Sequence, residues 1–312
     1  MQGQCRRNAF DNIFLPIMSS RLGLVCITHS QEVRFRTITR TRLHQHEEAQ
    51  QRSVLEALYR DNLQRLDAAL SFCAAENVAL YRMPSSLLPF FDAPIGREVM
   101  ATLADEVARI GARALAMDIR LVMHPDQFVV LNSDSENVVA NSIVILQMHA
   151  DIMDLLQQPR SPWALIEIHG GKSGRSGKLV DAIARLPDAI RLRLGLENDE
   201  YAYGASEILE ICQASGVPMV FDAHHHIVHE GLADYEDPGI ADMLRKARAT
   251  WPDPAQQLVH ISNGRTAFGD RSHADLIDVM PSSFAAAPWI EVEAKFKEEA
   301  IRKLRRASPA FV

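Results

Sequence analysis

"LRLGLENDEYAYGASEILEICQASGVPMVFDAH", residues 192–224, contains the repeating unit of the fold. A short apolar run, "LRLGLEN" (192–198), is followed by an amphipathic segment at 206–214 and then by a second apolar run, "VPMVFDAH" (217–224). Strand–helix–strand alternation implies parallel strands, because the helix carries the chain back to the end of the sheet where it started. The alternation extends in both directions. Further runs are "RLGLVCI" (21–27), "NVALYRM" (77–83), "IRLVMH" (119–124), "WALIEIH" (163–169), "QLVHIS" (257–262) and "WIEVEAK" (289–295). Amphipathic segments at 52–76, 97–117 and 136–157 separate the earlier ones. In 52–76, Leu55, Leu58, Leu63, Leu66, Leu70 and Phe72 recur at a helical period with charges between them. Eight such units predict an α/β chain closed into a single (β/α)8 barrel. The thinnest connection follows residue 262, where "HADLIDVM" (273–280) reads as a short helix.

The 312 residues, 47% hydrophobic and 23% charged, can bury a sizeable core. No linker or internal repeat divides them, and no run reaches transmembrane length. Cys5, Cys26, Cys73 and Cys212 lie far apart without a CxxC pair, so a reducing cytoplasm is the expected setting. The net charge of −7 argues against a general polyanion binder, although bound divalent cations would reverse that balance locally. Asp11 and Asn12 interrupt the apolar stretch of "MQGQCRRNAFDNIFLPIMSS" (1–20), so it is read as an extension, or as leading to a start at Met18, rather than as a signal peptide.

The strand ends carry the chemistry. His124, His169, Glu197, Asp222, His260 and Glu293 each sit at or near the C-terminal end of a different apolar run. His225 follows Asp222 by three residues, and His273 lies in the loop after the seventh run. Taken singly, each has an ordinary structural reading; Glu293, for instance, could pair with Lys295. A barrel gathers these ends on one face, the face that carries active sites. His44, His46 and His149 are read as solvated or helix-face residues.

Carboxylates with imidazoles and no thiolate suit zinc, manganese or iron. The set exceeds the needs of one ion, so two or three divalent ions are expected, an arrangement suited to phosphate-ester hydrolysis by metal-activated water. A sugar isomerase also uses metal and carboxylates on this scaffold, and a damage-binding protein that has lost cleavage is a further alternative. In "LVMHPDQF" (121–128), Pro125 ends the strand, and Gln127 and Phe128 stand beyond it. They read either as a wedge for a duplex or, for Phe128, as packing beneath the loop.

In "RLGLVC", "YRMPSSLLPF", "MHPDQF", "IHGGKSGR", "LGLEND", "FDAHHH", "HISNG", "HADLI" and "VEAKFKE", the chain resembles the UV-damage endonuclease family of DNA repair enzymes over residues 21–306. The resemblance implies a TIM barrel of the xylose-isomerase and endonuclease IV type, after an extension (1–20) and before a tail (307–312). It also implies a hydrolase that nicks damaged double-stranded DNA immediately 5′ of UV photoproducts or other lesions. Two or three divalent ions would serve it, manganese first, with zinc, magnesium or cobalt as alternatives. Carried over by motif, the metal ligands are His124, His169, Glu197, Asp222, His225, His260, His273 and Glu293, with Glu197, Glu293 and Lys295 as catalytic groups. Gln127, Phe128, Arg82, Lys172, Leu24 and Thr28 fall on lesion- or DNA-contacting positions, and Arg82, Lys172, Lys295 and Lys297 are candidates for phosphate contact or carboxylate support. The chain departs from the family at Leu24 and Thr28, where tyrosine and asparagine are usual, at Phe128 for tyrosine, at Leu258 for lysine and near Ser86 for histidine. A monomer without membrane attachment is expected, acting at the nucleoid.

Overall fold

Each expected apolar run contains a strand in the computed structural model, which describes residues 19–126 and 128–312. The strands are β1 (Arg21–Val25), β2 (Leu80–Met83), β3 (Arg120–Met123), β4 (Ile166–His169), β5 (Leu194–Glu197), β6 (Met219–Asp222), β7 (Leu258–Ile261) and β8 (Trp289–Val292). All neighbours pair in parallel in sequence order, and β8 pairs with β1 to close the barrel. In this register His169 stands beside Glu197, and His260 stands beside both Asp222 and Glu291.

Closure divides the side chains by alternation along each strand. Leu22, Leu24, Tyr81, Leu121, Ile168 and Phe221 belong to the large core between strands and helices. Leu80, Val122, Leu165, Val220 and Leu258, with Trp251 and Trp289, fill the lower end of the barrel itself. Gly23 is required there, since a Cβ at that position would meet the Leu80 side chain at 2.5 Å. Arg120 is fully buried in this layer. Its guanidinium donates to the carbonyls of Trp163, Gln256 and Pro162 at 2.7–2.9 Å and lies against three indole rings.

Several expectations need correction. The segment 97–117 forms two helices, Pro94–Ala101 and Ala104–Ala116, because the chain turns at Thr102 and Leu103. "HADLIDVM" is not helical: it bends at residues 275–276, and Asn263 accepts from the N–H groups of Asp278 and Val279, which a helix would have used internally. A short 3-10 turn, Ser282–Ala286, follows it. The helix Glu136–Leu155 does have the length and apolarity of a membrane span, yet it buries Leu146, Ala150, Ile152 and Met153 in the barrel's outer core. The expected extension lies outside the described residues apart from Ser19 and Ser20. Within the expected tail, Phe311 is buried, and the Val312 N–H donates to the Ser20 carbonyl beside the start of β1.

Candidate active site

Glu197 is the centre of the upper end. It closes β5, is 1% exposed and faces four imidazoles. Its Oε2 lies 3.0 Å from His124 Nε2 and 3.7 Å from His169 Nε2, and its Oε1 lies 3.0 Å from His260 Nδ1 and 3.5 Å from His225 Nδ1. Burial would raise the Glu197 pKa. His260 and His169, with hydrogen bonds from His124 and His260, outweigh it and hold the carboxyl well below its ordinary range.

Asp222 ends β6 and caps the following helix, Ala223–Glu230, by accepting from the His225 N–H at 2.7 Å. That turn of helix brings His225 back over the barrel mouth. His225 Nδ1 lies 2.9 Å from the Asn198 carbonyl, and Nε2 lies 3.6 Å from Glu200. Burial lowers the His225 pKa, but Asp222, Glu197 and Glu200 raise it more, to about 9. His273 enters from the β7–β8 loop, its Nδ1 3.7 Å from Glu293 Oε2.

These groups fit divalent ions. Ligand atoms of His124, His169 and Glu197, of Glu197, Asp222 and His225, and of Asp222, His260 and Glu293 each lie within 4.8 Å of one another. Asp222 Oδ2 and His169 Nδ1 are buried without a hydrogen-bond partner among the described residues. A buried carboxylate oxygen left so is costly unless a cation meets it. The cavity above them, about 460 Å³, is lined by His124, His169, Glu197, His225 and Glu293, with Phe128 at its edge. Cys26 lines it too, but burial pushes its thiol up and away from thiolate character.

Beneath the ligands lies a tier that the strand-end reading missed. Glu167 and Glu291 are fully buried and flank His260 Nε2 at 3.2 and 3.1 Å. Arg82 Nη1 lies 3.3 Å from Glu167 and 2.8 Å from Glu291, while Nη2 bonds Glu293. Burial pushes the Glu291 carboxyl up, and Arg82 offsets only part of this; at Glu167 the nearby His260 outweighs burial and the pKa falls. Period-two alternation was the available signal, since Glu167 and Glu291 stand two residues before His169 and Glu293 on the same strand faces. Neither approach to His260 is a hydrogen bond: its Nε2 and the facing Glu167 Oε2 and Glu291 Oε2 are buried without a hydrogen-bond partner among the described residues, so these carboxylates act on the ring through charge.

All eight expected ligands therefore converge. The expected DNA-contacting and catalytic groups do not all reach the same place. Arg82 is 7% exposed and faces Glu167, Glu291 and Glu293 within the barrel, the carboxylate-supporting alternative rather than the phosphate contact. Leu24 belongs to the outer core, on the strand face opposite the barrel interior. Thr28 is fully buried and uses its Oγ1 to accept from the Val33 N–H. Lys295 is exposed, because β8 ends at Val292 and the inward alternation does not continue that far. Lys297 is half-buried, and its pKa is lowered by burial and then by Arg82. Lys172 is exposed beside a neighbouring cavity that also touches His169 and His225. Phe128 is 73% exposed, so it does not pack beneath its loop. Gln127 lies outside the described residues. Leu258 is buried in the lower apolar layer, and Ser86 is exposed.

Fold and site together define a (β/α)8 protein with carboxylates and imidazoles grouped for divalent cations at the C-terminal ends of its strands. The chain belongs to the UV-endonuclease UvdE family, whose profile matches residues 20–311. It is 53% identical over 286 residues to the UV DNA damage endonuclease of Nostoc sp., covering 91% of this chain and 89% of that protein. The crystal structure of SacUVDE superposes with a TM-score of 0.77 at 26% identity, covering 92% of this chain and 99% of the other. A xylose isomerase domain protein from Planctomyces limnophilus shares the fold alone, with a TM-score of 0.53 at 14% identity over 77% of this chain and 90% of its own.

Proposed function

We propose that the chain is a metal-dependent DNA repair endonuclease that hydrolyses the phosphodiester immediately 5′ of a UV photoproduct or another lesion. The observation carrying this reading is the Glu197 carboxylate set among four imidazoles, with Asp222 and Glu293 beside them. His124, His169, Glu197, Asp222, His225, His260, His273 and Glu293 would hold two or three divalent ions, manganese first. Bound there, the ions supply Lewis acidity toward water and charge neutralisation at the phosphate. The chain's own groups prepare the place. Glu197 is held ionised by its histidines, and Arg82 holds Glu293. Glu167 and Glu291 hold the His260 ring, and the low-dielectric barrel interior below strengthens each of these interactions. Phe128, exposed at the mouth, offers an aromatic face to a base, with Gln127 beside it in sequence. Lys172, exposed beside the neighbouring cavity, would meet a phosphate there. We place the enzyme in the cytoplasm as a monomer consisting of one barrel domain.

Leu258 and Ser86, at positions where the family usually offers lysine and histidine, are the observations that favour the rival reading of a damage-binding protein without cleavage. One assay separates the two. Manganese-loaded wild type should nick UV-irradiated duplex, while Glu197→Gln should lose at least about a thousandfold of that activity. Wild type that binds irradiated duplex with metal counted on the chain, yet leaves it intact, overturns the endonuclease reading. Turnover of small polyols without DNA affinity would establish the isomerase instead.

A further inference from the structure

The loop from β1 to the helix Glu48–Ala75 is anchored more firmly than a connection requires. Fourteen residues, 26–39, pass without regular structure before a single helical turn, Arg40–Leu43. Loops of that length are uncommon in compact domains and, when ordered, are usually functional. Fully buried Thr28 accepts from the Val33 N–H at 2.9 Å. Glu298, 1% exposed, accepts from the N–H groups of His29 and Ser30 at 2.7 Å each. Fully buried Asn62 exchanges two 2.9 Å hydrogen bonds with the Arg36 backbone and donates to the Leu87 carbonyl at 2.8 Å, tying this loop to the one after β2. Burying an amide and a carboxylate costs free energy unless every such bond is made, and here those bonds fix one loop conformation.

That conformation presents positive charge. Between Glu32 and Glu47 the loop and its helical turn contain Arg34, Arg36, Arg40 and Arg42 and no carboxylate, in a chain of net charge −7. Arg36, Arg40 and Arg42 are exposed. Arg36 lies 3.6 Å from Asp61, and Arg40 sits over the Phe90 ring at 5.3 Å. Among the described residues, Arg40 and Arg42 have no carboxylate within 4.0 Å. The loop leaves the C-terminal end of β1, so it lies on the face that carries the candidate site. We infer that it is a phosphate-backbone contact for the duplex flanking the cleavage site, with Arg40 and Arg42 taking the phosphates. This rests on the endonuclease reading. It gives an acidic protein a fixed local cation strip, and it assigns Thr28 the task of holding that strip rather than touching DNA. Phosphate contacts position a protein on the duplex without reading lesion or sequence.

The test compares wild type, Arg40→Ala/Arg42→Ala and Arg40→Lys/Arg42→Lys, each loaded with manganese, on irradiated and undamaged duplex over a range of salt concentrations. Losing two phosphate contacts should weaken binding to both duplexes by the same factor, on the order of tenfold at 0.1 M salt. The slope of log K against log salt should become shallower by about 1.8, at roughly 0.9 per phosphate. The lysine pair should keep the wild-type slope, and kcat at saturating irradiated duplex should be unchanged in all three. An unaltered slope in the alanine pair, a loss confined to irradiated duplex, or a fall in kcat at unchanged affinity overturns this inference while leaving the endonuclease reading intact. Wild type that neither binds nor nicks irradiated duplex overturns both.

Discussion

Among the described residues, Arg82 and Arg120 are buried inside this barrel, one toward each end, and their partners differ. Arg120, at the base, donates to three backbone carbonyls and lies among three tryptophans. Arg82, near the mouth, meets Glu167, Glu291 and Glu293. The first is a cation satisfied by neutral groups, and burial draws its pKa down to about 9. The second is a cation outnumbered by carboxylates. Although burial opposes it, Glu291, Glu293 and Glu167 keep its pKa well above the ordinary value. One end of the barrel is a sealed plug; the other holds unspent negative charge, which a metal site requires.

The strongest way to break the comparison is to remove each guanidinium. Arg82→Met removes the guanidinium shared by Glu167, Glu291 and Glu293 and leaves them only their histidine neighbours, and the metal-free protein should lose about 3–5 kcal/mol. Manganese should restore more stability to this variant than it adds to wild type, because ions that bind the folded state replace the missing charge. Arg120→Met should cost roughly 3 kcal/mol through unpaired carbonyls, with no such rescue. Thermal melts with and without manganese decide it; equal rescue of both variants would erase the distinction.

A smaller effect is expected from the carboxylates that Arg82 meets. Glu167→Gln and Glu291→Gln should each lower metal affinity or nicking by about 10–100-fold, since they loosen His260 without removing a ligand. Manganese titration followed by elemental analysis measures this apart from activity. Phe128→Ala should leave stability within about 0.5 kcal/mol of wild type. It should reduce the preference for irradiated over intact duplex by about tenfold, the contribution of one stacked base. Competition binding measures that ratio.

The least effect is pH-linked. The His225 pKa is raised in the folded protein, to about 9, so its contribution is present below the unfolded value near 6.5 and is lost as pH rises through 9. Metal-free wild type should therefore melt at progressively lower temperature between about pH 6.5 and 9. His225→Ala should flatten that slope, and an unchanged slope would remove His225 from the charged mouth.

The pattern of apolar runs was legible because barrel strands buried on both faces need continuous hydrophobicity, and each run ends where the chain meets the mouth. His124, His169, Glu197, Asp222, His260 and Glu293 could be picked out for the same reason. Glu167 and Glu291 escaped notice because they sit within the runs, where a single charge reads as an interruption rather than as an inward-facing ligand support. The exposure of Lys295 could not be read from the sequence, because its distance past the end of β8 depends on where pairing stops. Leu24 and Thr28 were assigned to the mouth by motif, but strand alternation turns one outward and loop closure buries the other.

By itself, the amino-acid sequence determined the strand–helix alternation, the single barrel, and the identity of the eight candidate ligands, because these depend on local periodicity and on where short strands end. Only the tertiary structure decided which charges face each other: Arg82 against three carboxylates, Glu197 among four imidazoles, and a long loop held by Asn62 and Glu298. Those pairings join residues far apart in the chain, and closure of the sheet is what brings them within a few ångströms, where Coulomb energy becomes large enough to set their ionisation.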